Sequence, residues 1–95
     1  MSKCNVSFQI IPNVEEERLY DVVDKVIEYI KSCNVRYEVG PMETTMEGEL
    51  TELLRIVEKS QEICVKEGAN RIISVVKIDY KKDGVTIDEK IKKYR

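Results

Sequence analysis

The most nucleophilic side chains in this sequence are three thiols, Cys4, Cys33 and Cys64. A thiol becomes a catalyst when an imidazole takes its proton, or when a second cysteine sits three positions away to exchange with it. Histidine is absent from the 95 residues and no such cysteine pair occurs. That removes Ser/His and Cys/His nucleophile pairs, His proton shuttles and most zinc and iron sites. No catalytic residue and no metal ligand is expected, and no cofactor. The odd number and wide spacing of the cysteines fit small, mostly buried hydrophobes in a reducing cytoplasm. A redox thiol would lack both a base and a partner.

The remaining chemistry is that of carboxylates, amides and hydroxyls, which bind rather than react. Lys and Arg total 16 against 18 Asp and Glu, a net charge of −2. A nonspecific nucleic-acid binder carries a basic excess, so no nucleic-acid partner is expected. No apolar run approaches the roughly 18 residues that a membrane span requires. The polar start, Met1 to Asn5, does not read as a signal peptide. A soluble, intracellular protein is expected, one domain over residues 1–95, with 36% charged and 42% hydrophobic residues.

The elements follow from periodicity. Cys4 to Ile11 alternates, with Val6, Phe8 and Ile10 on one face and Ser7, Gln9 and Ile11 on the other, a strand that Pro12 ends. Asn13 is the expected cap of a helix whose stripe is Leu19, Val22, Val23, Val26, Ile27 and Ile30. It ends near Cys33-Asn34, with Asn34 in the left-handed position. Val35 to Val39 is a short strand, Gly40-Pro41 a turn, and Glu43 to Glu49 the hairpin partner. Gly48 marks a bulge or a close approach near the end of that strand. Thr51 is the expected cap of a second helix with the stripe Leu50, Leu53, Leu54, Val57 and Cys64, closed by Gly68. Arg71 to Tyr80 is a strand apolar on both faces, a pattern that predicts burial on both sides. Thr86 and Glu89 form a capping box for a short last helix, Ile87 to Tyr94.

The order β-α-β-β-α-β plus a C-terminal helix is the ferredoxin-like split βαβ pattern, an α+β class. Right-handed crossovers put two helices on one face of a four-stranded antiparallel sheet, strand order 4-1-3-2. Ser7, Gln9 and Ile11 then lie on the open face. An apolar last strand beside an open face predicts a cover, and the simplest is a second copy of the chain, giving a homodimer or homotetramer through the sheets.

The fold hosts several functions, each with a signature to look for. Stacking aromatics for RNA are needed on the two central strands, but the first has only Phe8, on the helix side, and the third, Glu43 to Glu49, has none and carries acids. A metal chaperone's CxxC is replaced by Ile11-Pro12-Asn13. An acylphosphatase needs an Arg in the loop after the first strand, and the nearest, Arg18, falls inside the helix.

Three stretches carry a resemblance. They are Val6-Ser7-Phe8-Gln9-Ile10-Ile11-Pro12, then Tyr37 to Glu49 with its Tyr…Gly-Pro-Met…Thr…Glu-Gly block, and Arg71 to Asp79 followed by Lys90. Together they resemble the thiamine-binding-protein family of small ferredoxin-like domains, related to YkoF-type thiamine and hydroxymethylpyrimidine binders. The resemblance spans nearly the whole chain. It implies assembly through the sheets and non-catalytic binding of thiamine or its hydroxymethylpyrimidine part at the open face, near a subunit interface.

Such a ligand has a cationic thiazolium and an aminopyrimidine with an amidine-like edge. The edge requires a carboxylate plus an amide or hydroxyl, and the ring an apolar or aromatic wall. Glu47 is the candidate carboxylate, Thr44 and Thr45 candidate hydroxyls, Gln9 and Ser7 a candidate amide and hydroxyl, and Tyr37 the wall. Each has a plainer reading: Glu47 as a surface ion-pair partner, the threonines as strand formers, Tyr37 as an interface residue, Ser7 and Gln9 as a self-satisfying polar seam. Lys77 and Asp79 read as an ion pair at a strand end, and Lys90, Lys92, Lys93 and Arg95 as a solvated face. The alternative function is an oligomeric regulatory or structural module that acts through another small ligand or a protein partner.

Overall fold

A computed structural model describes residues 3–95. Met1 and Ser2, part of the polar start, lie outside the described residues. The order is β1 (Cys4–Pro12), α1 (Glu16–Ser32), β2 (Arg36–Val39), β3 (Thr44–Gly48), α2 (Leu50–Lys66), β4 (Ile72–Asp79) and α3 (Ile87–Ile91), with a 3-10 turn over Lys92–Tyr94. The sheet is antiparallel throughout, in the order β2-β3-β1-β4. Read from its other edge, that is the expected 4-1-3-2, and the fold is ferredoxin-like.

The core lies between the sheet and α1 and α2. Val6, Phe8 and Met46 meet Val22, Val26, Ile30, Leu53 and Ile56 there, all of them buried. Each such side chain stabilises the fold by about 1.5–3 kcal/mol relative to exposure. The α2 stripe is rotated from the expected one: Ile56 is buried and Leu54 is 38% exposed. Ser60, polar yet fully buried, donates to Ile56 O at 2.8 Å. Gln61 donates to Val57 O and accepts from Ser74 Oγ, both at 2.9 Å, which accounts for a serine in an apolar strand.

The caps differ in detail. Glu15 and Glu49, rather than Asn13 and Thr51, flank the starts of α1 and α2. Asn13 instead donates its N–H to Arg71 O at 2.8 Å, tying the end of β1 to the start of β4. Asn34 at φ 59° and Gly68 at φ 105° take the left-handed positions expected after α1 and α2. Arg18 Nη1 donates to Glu67 O at 2.8 Å, so this arginine closes the C-terminus of α2. At Gly48 the ladder runs on without a bulge. A Cβ there would sit 3.3 Å from Leu53 Cδ2, so the glycine admits the first turn of α2 close to the sheet.

Burial of β4 on both sides does not hold within one chain. Ile73, Val75, Val76 and Ile78 are each more than a third exposed. The reason is position: β4 is an edge strand, and the two long helices reach only part of its inner face.

Candidate functional site

The register sorts the open face into rows. Glu38, Thr45, Ser7 and Lys77 are cross-strand neighbours and form one row over all four strands. Arg36, Glu47, Asn5 and Asp79 form the next. On the other side, the pairs Gln9–Val75 and Ile11–Ile73 continue toward the opposite end of the sheet.

The row of Asn5 and Glu47 is not open. The chain after β4 turns back and lays α3 across it. Glu47 Oε1 accepts from the Ile87 N–H at 2.7 Å, so a sheet carboxylate satisfies an orphan donor of the first helical turn. Lys90 Nζ donates to Asn5 Oδ1 at 2.8 Å and to Asp79 Oδ2 at 2.5 Å. Arg36 donates to Asp88 Oδ1 at 2.8 Å, and Arg95 lies 3.7 Å from Glu38. Thr86 Oγ1 accepts from the Glu89 N–H, as the capping pattern predicts. Ile87 is buried beneath these ties, and Asn5 is only 3% exposed although it faces away from α1 and α2.

Lys77 and Asp79 do not pair with each other. Asp79 goes to Lys90, and Lys77 Nζ donates to Glu43 Oε1 at 2.9 Å. The basic C-terminal run is likewise only partly a solvated face, since Lys90 and Arg95 point to the sheet's carboxylates.

Beside α3, over the row of Ser7 and Thr45, lies a cavity of about 530 Å³. That is within the range of small-ligand sites. Ser7, Thr45 and Asn5 form its floor, Ile87, Ile91 and Lys90 one wall, and the Val39–Pro41 turn with Glu43 the other. Ser7 Oγ donates to Glu43 Oε2 at 3.2 Å. The hydrogen bond from the Lys77 ammonium holds the Glu43 carboxyl below its ordinary range against the opposing effect of desolvation, and the Lys77 charge and the Ser7 hydroxyl add to it. The cavity thus joins a carboxylate held by two partners, a buried and a half-buried hydroxyl, and an apolar wall, a set that can hold a flat, nitrogen-rich ring. Among the described residues no cluster of His, Cys, Asp and Glu could hold a metal ion. No helix there is long and apolar enough to cross a membrane.

Of the residues singled out in the sequence, Ser7 and Thr45 share this cavity. Gln9 lies on the same face one row away, outside the lining. Glu47 lies one row to the other side, under α3. The register turns Tyr37 and Thr44 toward the helices: they pair with Met46 and stand opposite Phe8. There Tyr37 packs against the core and Thr44 is buried. Glu43, Lys77 and the α3 wall are absent from the sequence-derived site. Glu43 was findable, because Glu43, Thr45 and Glu47 alternate at period two.

The family of thiamine-binding proteins matches residues 6–95. A UPF0045 protein of Clostridium perfringens is 70% identical over 95 residues, covering all of both chains. A domain of unknown function, DUF77, from Bacillus cereus superposes with a TM-score of 0.92 at 48% identity, over 99% of this chain and 91% of that one. A Thermotoga maritima structure described as a "putative thiamine biosynthesis/salvage protein" gives a TM-score of 0.90 at 43% identity, over 98% and 99% of the two chains.

Proposed function

The chain belongs to the thiamine-binding protein family, and from that premise we propose that it binds thiamine or its hydroxymethylpyrimidine part, without catalysis, in the cavity between the sheet and α3. The observation that carries this reading is the cavity itself: a carboxylate, two hydroxyls and an apolar wall converge there on a chain of this family. The Thr45 hydroxyl makes no hydrogen bond within the described residues, which leaves it available to a ring nitrogen. The three thiols are unpaired, in keeping with a reducing compartment.

Calorimetric titration with thiamine, hydroxymethylpyrimidine and thiamine diphosphate tests the proposal. Saturable binding at micromolar or lower concentration is expected for at least one. No heat with any of the three, on folded and ligand-free protein, would refute it.

The second part of the proposal is self-association. Ile11, Ile73 and Val75 leave an apolar stripe at the uncovered end of the sheet, each at least 43% exposed. A stripe of this kind beside an edge strand favours a homodimer or homotetramer joined through the sheets. Light scattering should show more than one copy, and the double substitution Ile73→Lys, Val75→Lys should give monomers. A monomeric parent protein would refute this part and favour a module that acts through a different protein partner.

A further inference from the structure

We infer that Glu43 is the carboxylate that reads the ligand's aminopyrimidine edge, and that Lys77 is a built-in competitor that occupies this carboxylate until the ligand displaces it. The inference rests on the proposed binding site and adds the residues that set its specificity.

The carboxylate of Glu47, on the same face, is already committed. Its Oε1 holds the Ile87 N–H, and its side chain is only 10% exposed beneath α3. Glu43 differs in each respect. It lines the cavity, its side chain is 35% exposed, and its Oε2 is oriented by the buried Ser7. Its Oε1 faces Lys77, whose side chain is 68% exposed and comes from the edge strand.

An ammonium on a flexible stem at that exposure is held weakly. Surface pairs of this kind change an equilibrium by no more than about fivefold. An amino group on a flat ring makes a hydrogen bond to the same carboxylate, charged on one side only, and the ring adds the apolar wall of Ile87 and Ile91, which the lysine does not use. Displacement of Lys77 by the ligand is therefore favourable. Ser7 keeps the carboxylate in place while the partner on its other oxygen changes. The cross-strand row places Thr45 next to Ser7 in the cavity lining, so its hydroxyl is available to the ring nitrogen adjacent to the amino group.

This arrangement selects for a donor at the edge. An analogue with an oxo group in place of the amino group turns an acceptor toward Glu43, and two acceptors cannot pair.

The experiment is calorimetry with thiamine and with oxythiamine, its oxo analogue, on the parent protein, Lys77→Ala and Glu43→Gln. The parent should prefer thiamine by about tenfold to hundredfold. Lys77→Ala should bind thiamine about two- to fivefold more tightly, because the competitor is gone. Glu43→Gln should lose about tenfold or more for thiamine and most of the preference, because an amide also donates. Weaker or unchanged thiamine binding in Lys77→Ala would overturn the competitor role. A Glu43→Gln protein that keeps the parent's affinity and preference would overturn the reading role. Both of those results leave the thiamine site standing. If the parent binds neither compound, the proposed site falls and this inference falls with it. Thermal melts of both variants, expected within a few degrees of the parent, separate these outcomes from loss of fold.

Discussion

Replacing Glu47 with Met tests how α3 is held on the sheet. The side chain keeps its length, but the acceptor of the Ile87 N–H is lost. That bond is 2.7 Å long, charged on one side and largely shielded from water. A hydrogen bond to a charged group contributes about 1.5–3 kcal/mol, and its loss leaves the buried donor unpaired. The Lys3 contact at 3.9 Å adds little, since Lys3 is 64% exposed. A loss of about 2 kcal/mol is therefore expected, equivalent to a fall of about 8–16 °C in melting temperature for a domain this small. Glu47→Gln keeps an acceptor in the same place and should lose less than about 1 kcal/mol. Amide exchange at Ile87 should rise roughly thirtyfold in the Met variant and much less in the Gln variant. Thiamine binding should follow the same order, because Ile87 and Ile91 are the cavity wall. Two results would refute this reasoning. One is equal destabilisation by Met and Gln. The other is loss of binding in Glu47→Gln with Ile87 still protected, which would make Glu47 a direct ligand contact.

The Lys77 ammonium lowers the Glu43 carboxyl in the folded state, so this pair contributes stability above the ordinary carboxylate range and loses it as pH falls through the lower folded value. Glu43→Gln should thus cost under about 1 kcal/mol near neutrality and nothing near pH 2, read from urea midpoints at each pH. Burial pushes the Cys4 and Cys64 thiols up, with Asp79 and Glu67 adding to the shift, and both residues are at most 1% exposed. A thiol reagent near neutral pH should label at most Cys33 in the native protein and all three cysteines in denaturant; labelling of Cys64 without unfolding would contradict this packing. At Gly40 a Cβ would lie 2.9 Å from Glu43 O, the atom that accepts the Gly40 N–H at 2.8 Å. Gly40→Ala should therefore cost about 1–3 kcal/mol and weaken thiamine binding by displacing the turn that carries Glu43.

The framework of the fold was written locally. Alternation in Val6, Phe8 and Ile10, the helical stripe from Leu19 to Ile30 and the cap pair Thr86–Glu89 are each decided by neighbours a few positions apart, so periodicity reveals them. The ferredoxin-like order and the strand sequence then follow from chain connectivity and crossover hand. The same alternation put Ser7 and Thr45 on the open face, and both line the cavity. It would also have put Tyr37 and Thr44 on the helix side had the register with Met46 and Phe8 been known, but register is a property of two strands together.

The tertiary structure alone decided where the C-terminus goes. The helix from Ile87 is too short to reveal a packing face by periodicity, and its placement rests on contacts 40 to 85 residues distant in sequence, Glu47 to Ile87 and Asn5 to Lys90. Those contacts turn Glu47 from a candidate ligand carboxylate into the support of a wall. They also draw Asp79 to Lys90, and Lys77 pairs across the sheet with Glu43. A sequence shows which side chains carry charge and which face of a strand they share. The partner each charge meets depends on which distant segments pack together, because a charge is neutralised by what lies within a few ångströms in space, whatever its distance along the chain.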